Sequence, residues 1–136
     1  MNMTVTKKKR LRELQEDFQQ QFPFLKIEFY SVFHKNGEGS DKKKKLDSGL
    51  TVGEVCKSSD GEKSLTINGS MKVSEFEKIF KDTFGLSVQV FRKSNNLWLQ
   101  TTITDGWSLS KQNQSAIEMN VAENLNTEPE DYHEQE

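Results

Sequence analysis

Residues 73–103 decide the reading of this chain: Val73-Ser74-Glu75-Phe76-Glu77-Lys78-Ile79-Phe80-Lys81-Asp82-Thr83-Phe84-Gly85, then Leu86-Ser87-Val88-Gln89-Val90-Phe91-Arg92-Lys93, then Ser94-Asn95-Asn96, then Leu97-Trp98-Leu99-Gln100-Thr101-Thr102-Ile103. Val73, Phe76, Phe80 and Phe84 recur at spacings of three and four, the stripe of an amphipathic helix, and Ile79 widens it. Ser74 with Glu77 three residues later has the pattern of a capping box. Gly85 stands where a left-handed residue ends a helix, so the helix stops at Phe84. Alternation follows. Leu86, Val88 and Val90 point one way; Ser87, Gln89, Phe91 and Lys93 point the other. The run Ser94-Asn95-Asn96 is a hairpin turn, because Asn tolerates positive φ. The return strand is Leu97 to Ile103. Its Leu97 and Leu99 share the side of Val88 and Val90, which puts Phe91 and Trp98 together on the opposite side.

The N-terminal part repeats the plan. Leu11, Leu14, Phe18 and Phe22 match Val73, Phe76, Phe80 and Phe84 at a constant offset, and Pro23 ends the helix. Thr4 or Thr6 is its expected cap. After a slip of one residue, Leu25, Ile27 and Phe29 match Leu86, Val88 and Val90. The strand runs from Phe24 to Phe33, with Lys26, Glu28, Tyr30 and Val32 on its other face. Two copies are too few for a solenoid, so the repeat implies a pseudo-twofold architecture.

Between the copies, residues 34–48 read as a mobile basic loop, Thr51 as the cap of a short helical turn, and Ser64 to Asn68 as a strand with Leu65 and Ile67 inward. After Ile103, Asp105-Gly106 turns the chain, and Trp107 and Leu109 dock a short helix. The expected boundaries are a disordered terminus at 1–6, one α+β domain at 7–117 and a disordered acidic tail at 118–136. The element order is α-β-β-α-β-β. This is the order of a circularly permuted ferredoxin-like fold: a two-layer sandwich with two helices on one face of a four-stranded, mostly antiparallel sheet. The expected strand order is 86–93, 97–103, 64–68, 24–33. A different strand order in a two-layer α+β sheet is the competing arrangement.

Composition sets limits. A chain of 136 residues is one domain at most. Its hydrophobic content is 32%, low against the usual ~45–50% of globular chains, which is why disordered segments are expected. No apolar run is long enough for a membrane span, and the Lys-rich start lacks a signal-peptide core. A reducing, cytoplasmic setting fits the single cysteine, Cys56. Charge is divided unevenly. All 19 Lys and Arg precede residue 112, where 14 acids offset them to leave +5, and the last 25 residues carry seven acids and no cation. That split bears on any polyanion partner.

In this arrangement the sheet face away from the helices shows Tyr30, Phe91 and Trp98. Val32, Thr66, Gln89, Gln100, Lys26 and Lys93 surround them. A monomer rarely leaves such a patch bare. The segment around Trp107 folds over it, or two copies pack sheet to sheet, or it is a binding platform. Aromatic rings on an open sheet stack unpaired bases, as RNA-recognition domains do, and cations hold the phosphates. The Lys/Arg-Gly-aromatic signature of those domains is absent. Lys7, Lys8, Lys9, Arg10 and Arg12, crowded at a helix start where the dipole disfavours them, and Lys42, Lys43, Lys44 and Lys45 would add attraction for a nucleic acid. The plainer alternative is that both runs simply solvate mobile segments.

Catalysis is not indicated. Cys56 has no histidine partner, because His34 lies by the loop and His133 in the tail; it reads as a packing residue. Two histidines and one cysteine do not make a zinc site, no glycine-rich phosphate loop is present, and no cofactor or metal is implied. The expectation is a small interaction module without enzymatic activity that binds a protein partner or itself through the aromatic face. Nucleic-acid binding is the alternative, and an enzyme is the third reading.

Overall fold

Asn2-Met3-Thr4-Val5 alternates polar and apolar side chains, and it forms a strand, β1 (Asn2–Val5), with Met3 and Val5 buried. The computed structural model describes residues 2–31, 39–40, 42–56 and 63–125, with side chains described to residue 121. After β1 come α1 (Leu11–Gln21), β2 (Leu25–Tyr30), a 3-10 turn at Lys42–Lys44 and the short α2 (Val52–Val55). Then follow β3 (Lys63–Thr66), α3 (Val73–Ile79), β4 (Ser87–Ser94), β5 (Leu97–Gln100) and α4 (Leu109–Leu125). The last turn of α3 widens into a π-helical turn over Phe80–Phe84, and Gly85 ends it at φ 65°.

Among the described residues the fold is α+β with two antiparallel sheets. One pairs β1 with β3; the other has the order β2-β4-β5. This corrects the single four-stranded sheet and the permuted ferredoxin-like order. With residues 1–6 expected to be frayed, the strand expected at 64–68 has no partner except in the main sheet; β1 supplies that partner instead. The strand at 87–94 is central, not at an edge. It takes β2 on one side and β5 on the other. The return strand also stops at Gln100, not at Ile103. Of the expected mobile loop, the described part is anchored. Leu46 N–H donates to Phe29 O at 2.8 Å and Ser31 N–H to Lys44 O at 2.8 Å. The tail beyond residue 125 lies outside the described residues.

The repeat is present and longer than expected: β1-α1-β2 is followed by β3-α3-β4. Equivalent residues face one another across the pairings. Met3 lies opposite Leu65, and Glu28 opposite Gln89, as a twofold axis through both pairs requires. The helices obey the same relation. Phe18 and Phe22 have ring centroids 5.3 Å apart, and so do their equivalents Phe80 and Phe84. Phe18 meets Phe76 at 5.0 Å, joining the two helices. With Phe29, Ile27, Leu25, Val88 and Val90 from the main sheet and Met3, Val5 and Leu65 from the small one, these rings form one core.

Helix starts differ from the expected ones. α1 begins only at Leu11, with Glu13 Oε1 accepting from Arg10 N–H at 3.0 Å. Lys7, Lys8 and Lys9 therefore precede the helix, leaving only Arg12 in its first turn. Neither Thr4 nor Thr6 caps it. Thr51 does cap α2, its Oγ1 accepting from Glu54 N–H. α4 starts at Leu109, which is fully buried, and it is longer than the expected short helix, running to Leu125 into the segment expected to be disordered from 118. The chain before α3 runs so close to the start of α4 that a Cβ at Gly69 would collide with the Ser110 side chain.

Met3 tests the reading of β1. Met3→Ala should cost about 2–4 kcal/mol in urea unfolding, as a core residue does. A loss below ~0.5 kcal/mol, typical of a surface position, would mean that the terminus is frayed.

Candidate functional site

The face of the main sheet away from the helices carries Lys26, Glu28 and Tyr30 from β2, and Gln89, Phe91 and Lys93 from β4. Trp98 and Gln100 of β5 continue it, opposite Lys93 and Phe91. At one end Lys26 Nζ lies 5.3 Å from the Phe91 ring centroid and 5.1 Å from that of Trp98. Trp98 is half-buried and Phe91 is buried. Lys93 leans toward Phe24, 6.0 Å away. Such cation–π contacts are worth ~0.5–1 kcal/mol where solvent reaches them.

Tyr30 does not join this group. It stands at the other end of β2, opposite Ser87, and is buried. Burial, with the Glu28 charge adding to it, pushes its phenol up to about 12. Thr66, expected on this face, belongs to β3 in the other sheet, and Val32 lies outside the described residues. The middle of the face is not open either. Gln100 binds residue 40 as a neighbouring strand would: Ser40 N–H donates to Gln100 Oε1 at 2.7 Å, and Gln100 Nε2 donates to Ser40 O at 3.0 Å. Ser40 Oγ lies 3.1 Å from Gln89 Oε1, and both glutamines are buried. The expected cover around Trp107 is elsewhere. That ring stacks on Lys111, 4.2 Å away, and on Arg92, 5.8 Å away, on the helix side of the sheet.

The two edges of the main sheet differ. The outer side of β2 is covered: Gln15 Nε2 donates to Ile27 O at 2.8 Å, and residues 44–46 bond to Phe29 and Ser31. Lys26 and Lys45 both lie near the Glu28 carboxylate, at 3.4 and 3.6 Å. Among the described residues no strand lies beyond β5. The two-residue turn Asn95-Asn96, with Asn95 at φ 54°, makes Ser94 and Leu97 the hydrogen-bonded closing pair, so the Trp98 N–H points outward. Leu97, Trp98 and Leu99 are half-buried, and Ile103 is 77% exposed. Residues 97–104 contain no charged residue.

Two polar groups on the helix side escaped the sequence reading. Arg92 is buried, and its Nη1 donates to Gln112 Oε1 at 3.2 Å; Gln112 Nε2 in turn donates to Thr104 O at 2.8 Å. Alternation alone puts Arg92 on the side of Val88 and Val90, and that was the available signal. Glu77 is the other. It is buried in α3, which starts at Val73 with Lys72 as its cap, so the box of Ser74 and Glu77 does not form. Instead Glu77 Oε2 accepts the Val90 N–H at 3.1 Å, just past the end of β5, where Thr101 N–H still donates to Val90 O at 3.2 Å. Burial, with Asp105 adding to it, pushes the Glu77 carboxyl up to about 8 against the lowering by that hydrogen bond.

The cationic residues separate into two roles. Lys9 is held by Asp17 at 2.7 Å. Lys7, Lys8, Arg10 and Arg12, and Lys42, Lys43, Lys44 and Lys45, are exposed. Cys56 packs at the margin of the core, its thiol donating to Phe84 O. His34 and His133 lie outside the described residues. Among the described residues no group of three His, Cys, Asp or Glu side chains is placed to hold a metal ion, and no helix is long and apolar enough to cross a membrane. A scan of protein-family models and searches of curated proteins and of solved structures each returned no match.

Glu77 generates a pH dependence. The unfolded carboxyl ionises near 4.5, whereas the folded one keeps its proton up to about 8. Between those values the folded chain binds more protons, so stability falls as pH rises. Glu77→Gln keeps an acceptor for Val90 and cannot ionise. Urea unfolding between pH 5 and 8.5 should show a loss of order a few kcal/mol in the parent chain, much of it absent in the variant. Equal losses in both would remove the assignment.

Proposed function

We propose that the protein is a binding module without catalytic chemistry, and that it self-associates through β5. The carrying observation is the contrast between the edges: β2 is covered by a side-chain amide and a basic turn, while β5 has no charged residue of its own and, among the described residues, no strand on its outer side. Natural sheets usually blunt such an edge with charge, proline or a covering segment. An edge left uncharged suits strand addition, in which backbone hydrogen bonds give affinity and alternate side chains give selectivity. A second copy fits it best, because two antiparallel β5 strands meet isologously with no like charges along residues 97–104. Trp98 supplies the large ring that anchors such interfaces. The strap at Ser40 argues against face-to-face stacking of two sheets, because it occupies the middle of that face.

Sedimentation at micromolar concentration should give a dimer. Trp98→Pro removes the outward N–H and the ring, leaves the β4 ladder bonds of Leu97 and Leu99, and should return a monomer with unchanged circular dichroism. A parent chain that sediments as a monomer throughout would refute self-association.

A further inference from the structure

The opposite edge of the main sheet, beyond β2, gathers two basic runs that lie some 30 residues apart in sequence. The segment from residue 42 first bridges to β2, Lys45 pairing with Tyr30. Three residues later it reaches α1, where Arg12 N–H donates to Ser48 O at 3.0 Å and Leu11 N–H to Leu50 O at 2.9 Å. Arg10 Nη1 donates to Gly49 O. The segment then follows the chain before α1: Val52 N–H donates to Lys9 O at 2.8 Å and Gly53 N–H to Lys7 O at 3.0 Å. The lysines of 42–45 and the cations of 7–12 thus flank one continuous line. From residue 45 to 53 that line is at most ~27 Å long.

Four of the five acids along it have a local partner. Asp47 Oδ1 accepts from Gly49 N–H at 2.8 Å, Glu54 Oε1 from the Thr51 hydroxyl at 3.0 Å, Glu13 from Arg10 N–H and Asp17 from Lys9. Residues 7–17 and 42–54 hold nine cations against five acids, and Glu28 of β2 adds a sixth, 3.6 Å from Lys45. Lys7, Lys8, Arg10, Arg12 and Lys42 to Lys45 are all exposed. Such a density of like charge on an ordered surface opposes folding and is relieved by an anion.

We infer that this edge binds the phosphate backbone of a nucleic acid, without reading base sequence. Phosphates repeat along a strand every ~3.4 Å of duplex axis, so a line of that length can face at most about eight. No aromatic ring among the described residues is exposed on this edge: Tyr30 is buried, and Phe91 and Trp98 stand at the other end of the sheet face. Base stacking and base selectivity are therefore not expected. A lipid surface is disfavoured, because membrane-bound basic elements flank their charge with apolar side chains. The exposed large apolar residues described, Ile103, Met119 and Val121, all belong to the chain after β5 or to α4.

The full chain would be titrated into labelled duplex and single-stranded oligonucleotides of two unrelated sequences, and into phosphatidylserine vesicles. Both sequences should bind alike, and affinity should fall about 10²–10³-fold between 50 and 200 mM salt. Replacing Lys8, Arg12, Lys42 and Lys44 by Gln should lower the log–log salt slope by about 3 to 4 units. Replacing Lys72, Lys78, Lys81 and Lys111, placed on α3, its cap and α4, should leave it within about one unit. Amine labelling of the parent chain gives a second readout: oligonucleotide should protect Lys8 and Lys42 to Lys44 and leave Lys72 and Lys78 reactive. Absence of binding at 50 mM salt, equal weakening by both sets, the reverse protection pattern, or binding to vesicles but not to oligonucleotides would each overturn the inference.

Discussion

Phe18 against Phe76, ring to ring at 5.0 Å, is the contact on which the rest depends. Each β-α-β unit has a phenylalanine stripe on its helix and a narrow apolar sheet face, and neither unit can cover that stripe by itself. The pseudo-twofold brings the stripes together, and the strands pair β1 with β3 and β2 with β4 as a consequence. An aromatic pair beyond simple burial contributes ~0.5–1.5 kcal/mol. Its larger effect is geometric. Once Phe18 and Phe76 touch, Phe80 is placed over Phe29, and the register of β2 on β4 is fixed.

What could be read from the sequence follows from which signals are local. The helix stripes, the stop at Gly85, the Asn95 turn, the cap at Thr51 and the two-sidedness of β4 and β5 are all encoded within a few residues, and each appears as read. The offset between Phe18 and Phe80 carried longer-range information and correctly implied the repeat. Strand order did not follow, because β1 has only four residues and its partner lies about sixty residues away. A strand that short resembles a frayed end until its neighbour is known.

The candidate face was legible in membership more than in character. Lys26, Phe91, Trp98, Gln89 and Gln100 do share one side of the sheet. Their polarity suggested an open surface. Instead the two amides are buried beneath Ser40, one of them acting as a surrogate strand. Glu77 departs from its sequence pattern for a related reason. A glutamate three residues after a serine matches a capping pattern, and only the end of β5 explains why it turns inward to satisfy Val90. Side chains that replace missing backbone partners recur here: Gln15 at Ile27, Gln100 at Ser40, Glu77 at Val90. Sequence patterns weigh such residues as surface, because their partner is chosen by the topology.

The pairing of Met3 with Leu65 and of Glu28 with Gln89 also governs how the molecule is assembled. No strand of the first unit finds a mate within that unit. Its ordered state waits on segments synthesised some sixty residues later. Contacts this distant along the chain raise the contact order and slow the search, since loop closure precedes any stabilising contact. Phe18 of α1 finds its ring partner, Phe76, only in the second unit, so the two units are expected to order together.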